Sequence, residues 1–322
     1  MVIAAIGVLA NLAMVWYATE PGAWKALGNM NFLWLGGLLV TSFIHWFVHA
    51  LRMKVWVSFM GYRIPYARLL EVAMGTQLGA GISPSAVGGE PLKAGMLIHN
   101  GLKGEEAISL TLLNICEDLV FYFIAVPVLF FTVDLGDLPM LQNLSWNFDG
   151  MLIWLSGLAG VVVLAYWLMQ RLRHSRNPGW LRRFRVVLRA KWESAVSLWQ
   201  LIGRRGKTRL LFNLVMVTCQ WLIRYNVATL LIWGLGLSIT FAEAFLLQCV
   251  VYFLMMFIPT PGAAVGAEAT FYAVFALFLS TDLLPVITAG WRFFSYYFPL
   301  ATCSVFFLFW KPFRGLPGTE AT

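Results

Sequence analysis

The chain has 322 residues, of which 60% are apolar and 12% charged, and it carries a formal net charge of +8. So apolar a composition excludes an ordinary soluble globular protein and makes the lipid bilayer the expected solvent. The positive charge does not indicate nucleic-acid binding, because the cations are concentrated in loops between apolar segments rather than on one folded face.

Six apolar segments are predicted to be full membrane spans. Residues 1–17 form the first; they lack a cationic n-region and a convincing cleavage site, so we expect a retained helix and not a removed signal peptide. The other five are long enough to cross roughly 30 Å of hydrocarbon as helices. They cover residues 31–51, 107–133, 151–170, 210–234 and 283–310.

The distribution of charge predicts the orientation of these spans, since loops rich in Lys and Arg stay in the cytoplasm. Cations follow the second span and crowd the linker 171–209, while aspartates dominate the loop after the third span. We therefore expect a bacterial or archaeal cytoplasmic (inner) membrane protein with both termini inside. The deciding residues are Arg52, Lys54, Arg63 and Arg68 on the inner side and Asp134, Asp137 and Asp149 on the outer side.

Residues 180–202 of the basic linker place apolar and cationic side chains at helical spacing. One interpretation is an interfacial helix that lies on the anionic cytoplasmic leaflet. The other is an ordinary positively charged loop that is helical. The sequence leaves both open.

Two further apolar regions, 68–105 and 241–280, are interrupted near their middle by glycine and proline. The interruptions share a local sequence: Ala86-Val87-Gly88-Gly89-Glu90 corresponds to Ala264-Val265-Gly266-Ala267-Glu268, with one glycine-to-alanine difference. Three crossings separate the two regions, so the second enters the membrane from the opposite side. This pattern predicts an inverted repeat like those of many secondary transporters.

The predicted fold is therefore an all-α polytopic membrane protein with an inverted repeat, two broken re-entrant helical hairpins and about six full spans. We expect a single transmembrane domain over residues 1–322, with a first half at about 31–133 and a second half at about 208–310. Broken helices at membrane depth are tolerated where they line a polar cavity.

Ionisable side chains inside the spans cost about 2.5 to 3.5 kcal/mol each at the bilayer centre, so each needs a partner or a task. One interpretation is structural: the two arginines of the set neutralise some of its acids, without further function. The other is that the set takes part in binding or gating. Its members are Glu90, Glu117, Asp118, Arg224, Glu268 and Arg292.

The first interruption is expected to form the N-terminus of a half-helix, with Pro91 as its first residue. The backbone amides near Gly88 and Gly89 would then attract an anion at membrane depth. An acid at the same place competes with a phosphate unless it is protonated or paired. This conflict suggests that Glu90 and Glu268 act as a switch.

We hypothesise that these two glutamates alternate between proton and arginine partners while a lipid phosphate exchanges into a cationic site. Arg292, Arg224 and Lys93 are the expected members of that site, because the arginine fork suits phosphate.

No metal site or cofactor is predicted. His45 and His49 are spaced i, i+4, which is compatible with one metal face, but no acid or histidine on another segment completes a site, so packing is favoured. The aromatic side chains of Trp291, Tyr296 and Tyr297 are interpreted as interface anchors or core. The cysteines lack ligand spacing and are expected to pack; they are Cys116, Cys219, Cys249 and Cys303.

Two motifs carry a family resemblance. They are Ser83-Pro84-Ser85-Ala86-Val87-Gly88-Gly89-Glu90-Pro91-Leu92-Lys93 followed by Asn100-Gly101, and Ile258-Pro259-Thr260-Pro261-Gly262 with Glu268. With them the chain resembles the flippase-like transmembrane domain of the lysylphosphatidylglycerol synthetases and its stand-alone relatives, over nearly its whole length.

The resemblance implies that the chain moves aminoacylated phospholipids, or other phosphate- or isoprenoid-linked lipids, between leaflets. The chain ends soon after its last span, so no soluble aminoacyl-transfer domain and no lysyl transfer are expected. The residues that the resemblance marks are Gly88, Gly89, Glu90, Pro91, Pro259, Pro261, Gly262 and Glu268, to which the repeat adds Gly266.

The predicted function is therefore lipid transport, with membrane lipids as partners, no catalytic residue, and a homo-oligomer left open. An intramembrane transferase acting on a polyprenyl-linked lipid is the main alternative, but the sequence shows neither a cluster of metal-binding acids nor a nucleophile with its base. A passive assembly subunit is the third alternative. It would tolerate neutral substitution of both glutamates at the interruptions.

Overall fold

The computed structural model describes residues 30–83, 88–132, 203–255, 258, 266–279 and 282–309. This part of the chain is helical, with no strand in it. The helices are α1 (Phe32–Phe59), α2 (Tyr66–Ile82), α3 (Gly89–His99), α4 (Gly104–Thr132), α5 (Lys207–Gly234), α6 (Phe241–Met255), α7 (Gly266–Phe275), α8 (Leu284–Arg292) and α9 (Phe298–Phe309). A π-helical turn at Phe293–Tyr297 joins α8 to α9.

Four helices of the described part are long and apolar enough to cross a membrane: α1, α4, α5 and the continuous helix Leu284–Phe309. They correspond to four of the six predicted spans, and their length and composition are those of a multi-pass membrane protein. The predicted spans 1–17 and 151–170, the acidic loop and the proposed interfacial helix 180–202 lie outside the described residues.

The second predicted span is longer than expected. Helix α1 continues to Phe59 rather than ending at residue 51, because Met53, Trp56 and Val57 carry its buried face onward. The prediction that Arg52 and Lys54 belong to a cytoplasmic loop is wrong, since both lie inside α1 and Arg52 is fully buried. Cations after an apolar run do not mark the end of a span when other groups of the protein bind them.

The same helix–turn–helix unit occurs twice. Helices α1 and α5 each have 28 residues, and α2 and α6 follow them after turns of equal length. The first helices and the second helices of the two units start at the same sequence offset, since 207 − 32 equals 241 − 66.

The turns after α1 and α5 also correspond, because each contains a glycine with positive φ. Gly61 has φ +88° and Gly236 has φ +79°, and the two glycines are separated by the same offset as the helix starts. In both turns the next N–H reaches back to a carbonyl five residues earlier, from Tyr62 to Val57 and from Leu237 to Ile232. This is the geometry of a Schellman ending, which needs a residue that tolerates left-handed φ.

Helices α1 and α5 pack against each other in antiparallel fashion. The Trp34 and Trp233 rings lie 6.1 Å apart at one end, and the Arg52 guanidinium contacts the Gln220 side chain at 2.9 Å nearer the other. The α2–α3 hairpin packs on the α1 side of this pair and the α6–α7 hairpin on the α5 side. Separate apolar clusters form around the two hairpins.

Candidate functional site

The first interruption is a backbone-to-backbone contact between α2 and α3. A Cβ added to Gly89 would lie 2.9 Å from the Thr76 carbonyl oxygen, so only glycine permits this approach. The Gly88 N–H donates to the Ser83 hydroxyl at 2.7 Å. One amide of the predicted anion site is therefore already used by the protein itself.

The sequence predicted that this half-helix begins at Pro91. In the structure, helix α3 begins two residues earlier, at Gly89. Pro91 is the third residue of the helix, a position where the missing N–H has no consequence because the first turn lacks acceptors. Gly101, with φ +97°, ends the segment as expected near its C-terminus. Pro84 and its neighbours 85–87 lie outside the described residues.

Glu90 pairs with Lys93, one turn later on the same helix, at 2.6 Å. The lysine side chain is only 1% exposed, while 40% of the glutamate side chain remains exposed. The pair is thus a local one, with its acidic member at the surface of the structure.

The second interruption holds its acid differently. Glu268, in the first turn of α7, is 3% exposed, and its carboxylate accepts hydrogen bonds from Arg292 Nε at 3.1 Å and from the Tyr297 hydroxyl at 2.9 Å. The Arg292 guanidinium also stacks over the Tyr296 ring at 4.0 Å. Gly266 begins α7, and Pro259, Pro261 and Gly262 lie outside the described residues.

The π-helical turn brings the two interruptions together. The Tyr296 hydroxyl donates to the Gly81 carbonyl at 2.7 Å, at the end of α2, while neighbouring Tyr297 donates to Glu268. The sequence analysis treated both tyrosines as anchors or core. Their spacing of four and five residues after Arg292 is the signal that could have identified them.

Glu117 belongs to a buried polar network among α1, α4 and α5. It pairs with Arg52 at 2.9 Å, and its carboxylate also accepts from the Trp56 indole at 2.6 Å and from the Asn213 amide at 3.1 Å. Asp118 contacts Arg52 at 2.9 Å as well. The two acids thus pair with a cation that the sequence had placed in a loop.

Arg224 stands apart from these ion pairs. Its guanidinium lies 5.6 Å from the Trp221 ring, and it contacts no carboxylate among the described residues. His45 and His49 of α1 are close enough to interact with its charge.

Each of the three expected cations therefore has different neighbours in the structure. Arg292 is paired with Glu268, Lys93 is paired with a neighbouring acid, and Arg224 faces histidines. Within the described ranges, no three His, Cys, Asp or Glu side chains are grouped so as to hold a metal ion. What these polar groups can do is bind and exchange ions through hydrogen bonds.

Comparisons with known proteins show similarity to membrane proteins. The model of the family described as the lysylphosphatidylglycerol synthase TM region matches residues 2–303. The chain is also 24% identical over 319 residues to a protein called "UPF0104 membrane protein" from Archaeoglobus fulgidus, and the match covers 91% of this chain and 92% of that protein.

Proposed function

The chain belongs to the family of the lysylphosphatidylglycerol synthase TM region, and from this premise we propose that it is a lipid transporter and not an enzyme. Its substrate would be an anionic or isoprenoid-linked phospholipid or glycolipid, moved between the two leaflets of a bacterial or archaeal inner membrane. In this proposal both chain termini lie in the cytoplasm.

One observation carries the proposal: a single π-helical turn contacts both interrupted helices. Adjacent tyrosines reach the end of α2 and the buried acid of α7. A movement of either interruption would therefore affect the other. Short π-helical segments are often found at functional sites. They turn side chains to directions that a regular α-helix would not give them.

The charges suggest how a phosphate is taken up. Glu268 holds Arg292, so a lipid phosphate can bind this arginine only when the carboxylate releases it. Protonation of Glu268 or displacement of α7 would free the guanidinium fork, which fits a phosphate with two parallel hydrogen bonds. Glu90 would control Lys93 in the same way at the other interruption.

The repeated helix–turn–helix units support an alternating mechanism. Their first helices, α1 and α5, are of equal length and run in opposite directions. Inverted halves of this kind allow one half to rock against the other, so that a central site opens to each side in turn. The arrangement of two re-entrant hairpins is part of this proposal.

The test is leaflet exchange in proteoliposomes that contain labelled anionic lipids. Wild type is compared with Glu90→Gln and Glu268→Gln, with and without an imposed pH gradient. We expect each substitution to slow exchange by about tenfold or more, because without the competing carboxylate the phosphate stays bound to its cation and is released slowly.

Glu243→Gln is the matched control. Glu243 caps the start of α6 by accepting from the Thr240 N–H at 2.8 Å, a bond that glutamine also forms. This variant should exchange lipid at the wild-type rate. Lipid exchange at the wild-type rate in both Glu90→Gln and Glu268→Gln would contradict the switch and favour a passive assembly role. Absence of exchange by folded wild type, for every lipid offered, would contradict transport itself.

A further inference from the structure

His49 and Arg224 occupy equivalent places in the two repeated units. Their sequence offset equals the one between the starts of α1 and α5, since 224 − 49 equals 207 − 32. Each is therefore the eighteenth residue of its 28-residue helix, about 5 Å beyond the midpoint at 1.5 Å per residue. The Trp34–Trp233 and Arg52–Gln220 contacts set the antiparallel register of the two helices. In this register Arg224 of α5 lies level with the helical turn from His45 to His49 of α1.

The histidines at this place lack the partners that buried imidazoles need. Both ring nitrogens of His49 are shielded from solvent and have no hydrogen bond within the described part of the chain. His45, one turn earlier and 7% exposed, has Gln77 and the Thr41 backbone nearby, yet neither of its nitrogens makes a hydrogen bond of good geometry. Unsatisfied buried polar groups destabilise a folded protein.

Three cations surround His49, but two are already neutralised. Arg52 contacts the carboxylates of Glu117 and Asp118, both at 2.9 Å. Lys93 has an acid one turn earlier on α3, at 2.6 Å. Neither of these two cations has positive charge to spare for a ligand.

Arg224 is the third cation, and no carboxylate of the described residues contacts it. An arginine inside a membrane-spanning helix is costly unless something neutralises it. The imidazole nitrogens and the guanidinium together offer several donors and one net positive charge. The complement of such a set is an acceptor-rich ligand with one negative charge.

We propose that Arg224, His49 and His45 bind the phosphodiester of a phospholipid headgroup, as a subsite separate from the Glu268–Arg292 pair. A phosphodiester carries one negative charge and has two non-bridging oxygens that accept hydrogen bonds. A phosphomonoester dianion would bring a second charge that no further cation balances, so it should not bind more tightly. This inference rests on the proposed function, because it names the part of the lipid that the transporter holds.

The experiment measures binding directly. The purified full chain in neutral detergent is titrated with short-chain phosphatidylglycerol, a singly charged phosphodiester, and with short-chain phosphatidic acid, a phosphomonoester; thermal unfolding reports the complex. Phosphatidylglycerol should raise the melting temperature of wild type. His49→Phe keeps a ring of similar shape without nitrogens, and Arg224→Gln removes the charge. Each should weaken the apparent affinity by about tenfold.

Two control substitutions lie outside the subsite. His99→Phe changes a histidine in the last turn of α3, and Arg209→Gln changes a cation that lies 4.9 Å from the Phe59 ring. Both should keep wild-type affinity. If Arg224→Gln does not fold, His49→Phe carries the test alone. It should be at least as stable as wild type without lipid, because it removes unsatisfied polar atoms.

Equal phosphatidylglycerol affinity in wild type and His49→Phe would overturn the subsite while leaving lipid exchange, measured on the same preparations, as independent evidence for transport. Tighter binding of phosphatidic acid than of phosphatidylglycerol would overturn the charge argument. Wild type that neither binds phosphatidylglycerol nor exchanges any lipid would overturn the subsite and the proposed function together.

Discussion

The two interrupted helices share a local sequence but are held by different forces. At the first, backbone touches backbone, since a Cβ at Gly89 would meet the Thr76 carbonyl at 2.9 Å. At the second, a Cβ at Gly266 would meet the end of the Ile258 side chain, at 2.6 Å. The acid of the first pairs within its own helix and is partly exposed, whereas Glu268 is buried against another helix. The first interruption is thus stabilised by contacts within its own hairpin, and the second by contacts with another helix.

The largest loss of stability is expected when Arg292, the cation paired with Glu268 at the second interruption, is replaced. Arg292→Met would leave the Glu268 carboxylate buried without its guanidinium partner, while the Tyr297 hydroxyl still donates to it. Loss of one partner of a buried ion pair costs about 3 to 5 kcal/mol. Thermal unfolding in detergent should show a large fall in melting temperature, while Arg209→Met, near the start of α5, should cause little change. An unchanged melting temperature in Arg292→Met would show that the second interruption does not depend on its ion pair.

The next comparison concerns the two glycines. Gly89→Ala should destabilise the protein by about 1 to 3 kcal/mol, because the α2 and α3 backbones must separate. Gly266→Ala should cost less, since the Ile258 side chain can turn away. Gly95→Ala is the control: a Cβ there meets nothing within 4 Å, and alanine favours the helix. Melting temperatures in the order Gly95→Ala, Gly266→Ala, Gly89→Ala, from highest to lowest, would support the distinction. The reverse order of the last two would contradict it.

A smaller effect is expected from the bond that joins the two regions. Tyr296→Phe removes the hydrogen bond to the Gly81 carbonyl and keeps the ring beneath Arg292. The cost should be about 1 kcal/mol. If the interruptions move together, lipid exchange should fall more than this modest loss of stability explains. Tyr272→Phe, an exposed tyrosine on α7, serves as the control in both assays. Normal exchange by Tyr296→Phe would show that the two regions act independently.

Much of this architecture was predictable from the sequence. Apolar length alone located the four spans now seen, because the bilayer imposes a minimum helix length. The short segments starting at Gly89 and Gly266 follow from glycine and proline in otherwise apolar regions. Gly61 and Gly236 are 175 residues apart, three fewer than the 178 residues between the two five-residue matches, so they join the repeat only when a three-residue difference is allowed between them and the matches.

The pairing of an arginine with an acid was expected, as Arg292 and Glu268 show, but the identity of the partners was not predictable. Arg52 and Arg224 both follow apolar stretches, yet two acids contact the first and none among the described residues contacts the second. Which acid meets which base depends on the rotation and register of packed helices, and hydropathy contains no information about either. The roles of Tyr296 and Tyr297 depend on the π-helical turn, which shifts side chains by one residue relative to a regular helix.

The smallest effect on stability should come from Lys93→Met, the counterpart of Arg292→Met at the first interruption. The substitution removes a buried ammonium, and methionine fills a similar volume. The Glu90 side chain that remains is 40% exposed as a whole, whereas the Glu268 side chain is 4% exposed, so the unpaired charge is less deeply buried at Glu90 than it would be at Glu268. We expect a change below about 1 kcal/mol, in the range of partly exposed ion pairs. This makes Lys93→Met the more informative variant for transport. Slow lipid exchange at a nearly wild-type melting temperature would assign the first interruption a role in moving lipid. A large fall in melting temperature would instead show that both interruptions are structural locks of the same kind.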